Sequence, residues 1–451
     1  MGDNFKGFSS TIEILLEEKK YSSLRDILNT INPADIAVIF NDIQEDKLPL
    51  LFRLLPKELA AEAFVEMDDD MQELLIKGFS DAELKAVVDE LYVDDAVDIV
   101  EEMPANVVNR VLKQADPELR KMINEILKYP EDSAGSIMTT EYLSLRPQMT
   151  VEEAIKRIRR TCVDKETIYT CYVTDQNRTL IGMLSLKDLL VADDDDVVEN
   201  IMETNVICVD THTDQEEVAH MLSKYNFMAL PVVDKETRLV GIVTFDDAID
   251  VMEEETTEDI EMMAAITPTD KPYLKTGVFE TWKKRIPWLL LLMISATFTG
   301  LIITSFESAL AAQVALTAFI PMLMDTGGNS GSQASVTIIR GLSLNEIEFR
   351  DIFRVIWKEI RVAVLCGLTL AAANFVKLIL LDRAGIMISL TVCLTLVITV
   401  IVAKVIGCSL PMLAKKIGFD PAVMASPFIT TMVDALSLLV YFGTATALLH
   451  L

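Results

Sequence analysis

Asp325 and Asp434 are acids near the middle of long apolar segments, in PMLMDTGGNSGSQASV and FITTMVDALSLLVYF. A lone carboxylate at the bilayer centre costs at least about 2.5–3.5 kcal/mol on insertion scales, and such residues are kept mainly where they face water, a partner or a transported ion. Small residues and hydroxyls also serve plain helix packing, but packing does not ask for an acid. The glycines of DTGGNSGSQ either let two backbones approach closely, or break the helix and free carbonyls as oxygen ligands beside Asn329, Ser330, Ser332 and Gln333.

The ligand chemistry narrows the ion. The polar groups within the apolar segments read as oxygen or amide, with no histidine or thiolate cluster among them, which disfavours zinc, copper and nickel. Mg²⁺ gives up its waters reluctantly and is commonly held through one or two carboxylates, so a wide, sparsely charged site suits it better than a dehydrated Ca²⁺ cage. A symmetric dimer would set two copies of Asp434 around one axis and match the charge of a dication. The membrane potential supplies an inward driving force of about 4.6 kcal/mol for two charges at 100 mV. Neither a Walker A sequence nor a DKTG sequence is present to drive a pump.

A second set of carboxylates lies outside the apolar half. Residues 1–285 hold 30 basic and 60 acidic side chains, residues 286–451 hold 10 and 9, so the balance is −30 against +1. An acidic surface repels phosphate and excludes a nucleic-acid binder. Nine of these acids crowd into DDAIDVMEEETTEDIE, from Asp246 to Glu261, and repel one another at helical spacing by a few tenths of a kcal/mol per pair. Divalent cations would relieve that repulsion; a solvated linker helix is the equal reading.

The elements that must position these groups follow from periodicity. From Ser9 to about Tyr129, short pieces such as ILLEEKKYSSLRDIL, PADIAVIFNDI, DAELKAVVDEL and VDDAVDIVEEM repeat apolar residues at three- and four-residue intervals, with Asp, Asn, Ser or Pro at many starts. Such helices cannot bury their faces alone and predict a superhelical stack. Residues 137–250 contain a duplication. IMTTEYLSLRPQMTVEEAIKRI lies on IMETNVICVDTHTDQEEVAHML at an offset of 64, and YVTDQNRTLIGMLSLKDLL on PVVDKETRLVGIVTFDDAI at 59. Met138 thereby meets Met202, Gly182 meets Gly241, Ser185 meets Thr244 and Asp188 meets Asp247, and each copy reads strand, helix, two strands, helix. Hydropathy then predicts five spans at about 286–304, 312–339, 360–381, 386–413 and 421–449. Lys283, Lys284, Arg285, Arg340, Arg350, Arg354, Lys358, Arg361, Lys415 and Lys416 flank one side and only Arg383 the other. The amino terminus is therefore expected in the cytoplasm and the carboxyl terminus outside. The opening MGDNFKGFSS has no apolar core of signal-peptide length, and the six cysteines show no paired spacing, in keeping with a reduced cytoplasmic setting for residues 1–285.

The duplicated segment resembles a tandem pair of CBS domains, whose endings GMLSLKD and GIVTFDD place a carboxylate and a hydroxyl where that family meets ribose; a CBS pair can equally be empty and structural. With the acidic helical region before it, the acidic helix after it, GGNSGSQ in the second span and TTMVDA in the fifth, the whole chain resembles the MgtE family of Mg²⁺ channels and transporters. The resemblance implies a multidomain membrane protein. It would have an α-helical superhelical domain over 1–132, an α+β tandem CBS pair over 133–247, a connecting "plug" helix and linker over 248–285, and a five-helix transmembrane domain over 286–451. It also implies a homodimer in the cell membrane that is not an enzyme, with spans two and five lining the pore and Asp434 binding hydrated Mg²⁺ beside Asp325 and Asn329. Regulatory Mg²⁺ is implied at Asp94, Asp98, Asp214, Glu216, Asp247, Glu255, Glu258 and Asp259, drawing the cytoplasmic parts together and closing the pore. Asn226 departs from an acid found in the family, which weakens one shared ion. ATP in the CBS pair is implied through Tyr169 and Asp188. The rival readings are a CBS-regulated divalent efflux transporter and a nucleotide-regulated membrane enzyme using Asp325 and Asp434 as acid and base.

Overall fold

The computed structural model describes residues 2–269, 273–274, 276–424 and 426–449. It divides into two compact units, Met1–Met252 and Glu253–Leu451.

The first unit opens with ten helices, α1 (Gly2–Glu17) to α10 (Pro117–Ile126). Their starts are set locally. Asn32 accepts from the Ala34 amide at 3.2 Å with Pro33 in the first helical turn, and Ser80 and Glu83 close a capping box on the helix Asp81–Val88. The stretch ILLEEKKYSSLRDIL, read as one helix, is two. Lys19 sits at φ 55°, in the left-handed region that ends a helix, and the chain restarts as α2 (Tyr21–Leu28). Ile36, Phe40, Leu51, Phe64 and Leu75 are buried in a core that runs on into Val218, Leu230 and Val243 of the following module.

That module is the duplication in space. The first copy is β1 (Ser144–Leu145), α11 (Val151–Thr161), β2 (Thr170–Thr174), β3 (Leu180–Ser185) and α12 (Leu186–Val191). A one-turn helix, α13 (Val198–Ile201), leads to the second copy: β4 (Val209–Asp210), α14 (Gln215–Tyr225), β5 (Ala229–Val233), β6 (Leu239–Thr244) and α15 (Phe245–Met263). Each three-stranded sheet has the same order, with a parallel then an antiparallel pair. The copies grip each other reciprocally. Thr139 bridges Ile242 and Met183 bridges Glu203, while a side chain on Gly241 would strike Met138 and one on Gly182 would strike Met202. Both glycines are needed because each methionine comes from the other copy.

In the second unit, α15 runs from the unit's start to Met263. Long helices follow: α16 (Val278–Ser305), α18 (Ile320–Ser343), α19 (Ile352–Leu380), α20 (Ile386–Lys416) and α21 (Ser426–Leu449), with a short α17 (Glu307–Ala312) after α16. Among the described residues, four stretches are long and apolar enough to cross a bilayer: Val278–Ser305, Phe349–Leu380, Ile386–Lys416 and Pro421–Leu449. The expected span 312–339 needs correction. Residues 314–319 form a tight 3₁₀ turn, the helix proper begins at Ile320, and its polar centre keeps it below the hydropathy of the other four. Of the two roles open to the glycines, close approach is the one realised, because α18 is continuous from Ile320 to Ser343.

Side chains added to α18 show its surroundings. A Cβ on Gly327 would meet Thr399, Val433 and Ser437; one on Gly328 would meet Thr430; one on Gly331 would meet Ile429 and the Ala403 carbonyl. The α20 partners advance in step with α18 while the α21 partners recede, so α18 runs parallel to α20 and antiparallel to α21. Leu323, Leu396, Tyr441 and Phe442 fill the core between them, the Tyr441 hydroxyl donates to the Leu316 carbonyl at 2.9 Å, and the hydroxyls of Thr395 and Thr444 meet at 2.6 Å.

Candidate functional site

The small-residue face of α18 is turned into the bundle, which forces its long polar side chains the other way. Gly327, Ser330, Gly331 and Ala334 are buried, whereas Asp325, Asn329 and Gln333, four residues apart along one stripe, are exposed in the single chain. Across from α18, α21 carries Asp434, half-buried and close enough to Asp325 for their charges to repel; its Oδ1 is buried without a hydrogen-bond partner. Of the three residues singled out in the apolar half, the structure brings Asp325 near Asp434 of the neighbouring α21 and sets Asn329 one turn along α18 from Asp325. What it places there is negative charge lined with amide and hydroxyl oxygen, an arrangement that attracts a cation.

One expectation fails here. The polar groups in the apolar segments are not all oxygen or amide: Lys404, near the middle of α20, is buried with its ammonium 3.5 Å from the Glu359 carboxylate of α19. Asp325, Thr326, Asn329, Ser330 and Gln333 line one side of a cavity of about 500 Å³, Leu365, Cys366, Thr369 and Leu370 the other, and Lys404 joins them. The signal was in the sequence, a single lysine inside LVITVIVAKVIGCSL.

In the first unit, Asp94 and Asp247 of the named acids come together, with company that sequence reasoning missed. Asp94 and Asp95 lie in the first turn of α8 (Val93–Glu102), whose Val93 amide donates at 3.1 Å to Glu141, a residue of the first CBS copy. The Glu141 carboxylate also takes the Thr139 hydroxyl at 2.9 Å, and the backbone amide of Glu166 donates to the Glu141 carbonyl at 3.0 Å. Glu141 thus caps a helix of another domain and holds its acids against Glu166 and Asp247. Burial is the main cause of the resulting shifts. It pushes the Asp94 carboxyl well above the usual carboxylate range, with Asp247, Asp95, Glu166 and Glu141 adding repulsion. Burial followed by the Asp247 charge raises Asp95 to about 7, and burial followed by the Asp95 charge raises Glu166 to about 8. Asp247 is pushed up to about 6 by burial, against the hydrogen bond that it accepts from the Thr244 hydroxyl. Asp94 Oδ1 and Glu166 Oε2 are buried without a partner. Among the described residues no three His, Cys, Asp or Glu side chains already stand in metal-holding geometry; the acids are gathered and mutually repelled.

The other regulatory candidates lie on α8, α14 and α15. Asp98 is exposed on α8, and Asp214 caps α14 by accepting from the Glu216 amide at 3.0 Å while Glu216 lies 3.5 Å from His220. Asn226 closes α14 at φ 54°, a left-handed position that asparagine tolerates. In the second unit Glu255 and Glu258 are half-buried on α15, and Asp259 accepts from the Ser343 hydroxyl at the end of α18 at 3.2 Å. Burial first and the Asp420 charge second raise the Asp259 carboxyl. Met262 and Met263 pack there on Ile339 and Ala422, so the end of α15 abuts the end of the polar helix.

The two CBS copies use their matching acids differently. Asp188 takes the Ser185 hydroxyl at 2.6 Å and amide at 2.9 Å, which hold its carboxyl below the usual range. It stays near the surface beside Tyr169, whose side chain is exposed and whose carbonyl accepts from the Leu186 amide. Its counterpart Asp247 is turned to the acids of α8.

Comparison with known proteins agrees with this layout. Residues 31–132 match the MgtE intracellular N domain, 134–195 and 198–254 match CBS domains, and 320–444 match MgtE, a divalent cation transporter. The chain is 38% identical over 450 residues to the magnesium transporter MgtE of Thermus thermophilus, covering 98% of both chains. It is 33% identical over 443 residues to that of Bacillus subtilis, covering 97% of both. The crystal structure of the cytosolic domain of the Mg²⁺ channel MgtE in complex with ATP superposes on 54% of this chain and 99% of its own, at 39% identity and a TM-score of 0.52. A multidomain membrane protein with a helical amino-terminal domain, a CBS pair, a connecting helix and a polar-centred helical bundle, the chain belongs to the MgtE family of magnesium transporters.

Proposed function

We propose that two copies of this chain form a pathway through which Mg²⁺ enters the cell down its electrochemical gradient. The observation that carries this reading is the exposed stripe Asp325, Asn329 and Gln333 beside the half-buried Asp434 in a bundle of largely apolar helices. Acyl chains cannot solvate such a stripe, whereas a second copy facing it across a wetted axis can. In this reading α18 is the fifth crossing, α18 and α21 line the pathway, the amino terminus is cytoplasmic and the carboxyl terminus outside. Asp434 holds the hydrated ion, with Asp325 and Asn329 beside it. The chain divides functionally at 132, 247 and 285.

Closure is assigned to cytoplasmic Mg²⁺. Asp94, Asp95, Glu166 and Asp247 repel one another when bare and condense around a dication, and Asp98, Asp214, Glu216, Glu255, Glu258 and Asp259 add to the same response along α8, α14 and α15. The partnerless oxygens of Asp94 and Glu166 suit that use. ATP is assigned to the first CBS copy, with Asp188 accepting ribose hydroxyls and Tyr169 against the base.

Asp434→Ala tests the pathway. In proteoliposomes with an inside-negative potential, Mg²⁺ flux should vanish while dimer assembly and Mg²⁺ protection of the cytoplasmic part from protease persist. Flux that survives the substitution overturns the assignment, and flux coupled only outward favours an efflux transporter.

A further inference from the structure

An ammonium has no evident place in a cation pathway, yet Lys404 lines the cavity that Asp325, Asn329 and Gln333 line. Among the lining residues Asp325 and Lys404 carry formal charge, and alone they would cancel. A dication approaching Asp325 would then meet a groove of zero net charge and a fixed positive group within it. Glu359 changes that sum. Its carboxylate stands 3.5 Å from the Lys404 Nζ, with the two side chains 12% and 7% exposed, and so neutralises the ammonium inside the protein. Such pairs are costly to desolvate and no better than apolar packing for stability, so their retention in an apolar helix calls for another use.

We propose that Glu359 is a charge-compensating, positioning residue for cation passage: held against Lys404, it leaves Asp325 as the net charge of the groove beside α18, so that a divalent cation is admitted to the pathway that α18 lines. The inference rests on the pathway reading above. Two consequences separate it from a packing role. The effect scales with the charge of the permeating ion, because doubling the valence doubles the Coulomb energy. It also depends on the sum of the charges, so removing both members of the pair undoes the loss caused by removing one.

The experiment is Mg²⁺ and Na⁺ flux through the full chain in proteoliposomes as a function of ion concentration. Glu359→Gln should raise the half-saturating Mg²⁺ concentration about tenfold and affect Na⁺ less. Glu359→Gln with Lys404→Met should recover most of that loss, and Lys404→Met alone should lower the half-saturating Mg²⁺ concentration. The proposal is overturned if the double variant is as impaired as Glu359→Gln, if Mg²⁺ and Na⁺ fall together, or if Glu359→Gln leaves flux unchanged. Should Glu359→Gln not assemble, the sign of the Lys404→Met shift decides, and a raised half-saturating concentration sinks the idea. Loss of flux in Asp434→Ala with none in Glu359→Gln defeats this inference alone; full flux in Asp434→Ala defeats the pathway reading first.

Discussion

Gly407 of α20 lies so close to Gly331 of α18 that any side chain on it would overlap the Gly331 carbonyl. Two parallel helices meet there backbone to backbone, and this contact holds the face of α18 that turns Asn329 and Gln333 outward. Gly407→Ala must therefore separate the helices or twist α18, at a cost of about 1–3 kcal/mol for an overpacked site. Thermal unfolding in detergent should show a lowered midpoint, with Mg²⁺ flux reduced alongside it. An unchanged midpoint would mean that the backbones have room to move apart.

The acids gathered around α8 give the cytoplasmic part a pH dependence of defined sign. Asp247 near 6, Asp95 near 7 and Glu166 near 8 all bind their protons more tightly in the folded protein than at the ordinary 3.8 to 4.5. The folded chain then carries more protons than the unfolded one across that window. Its stability is full at the acid end and is lost as pH rises from about 4 to about 8. Thermal melts of the full chain without Mg²⁺ should show the midpoint falling over that range. Added Mg²⁺ should restore it at pH 8 and do little at pH 5, where protons already fill the cluster. A midpoint that rises with pH in the absence of Mg²⁺ would contradict the arrangement.

Nucleotide binding should depend on one copy of the duplication. Asp188→Ala removes the carboxylate proposed for ribose and should weaken ATP at least about tenfold by calorimetry, on the scale of a lost charge-assisted hydrogen bond. Tyr169→Ala should weaken it less. Asp247→Asn should leave ATP affinity near its starting value and shift instead the Mg²⁺ concentration that protects against protease.

The groups legible in the sequence were those whose signal is one-dimensional. Asp325 and Asp434 stand out because hydrophobic neighbours make an acid conspicuous, and the duplication showed itself by its two offsets, which reappear as the reciprocal Thr139–Ile242 and Met183–Glu203 bridges. Glu141, Glu166 and Asp95 were invisible among sixty acids, since their role arises only where a CBS loop meets the start of α8. Lys404 could have been found by hydropathy alone, but its partner Glu359 comes from another helix. The break at Lys19 escaped because EEKKYSS keeps helical composition through a residue whose backbone turns left-handed.

The outward polar stripe of α18 also bears on how the chain is made. A segment carrying Asp, Asn and Gln on one side gains little by leaving the translocon for lipid on its own. The α20 backbone that receives its glycine face is synthesised later, after α19. With α18 as the proposed fifth crossing, insertion of its polar stripe is expected to wait for α20, so that the two glycine-faced helices enter the bilayer together.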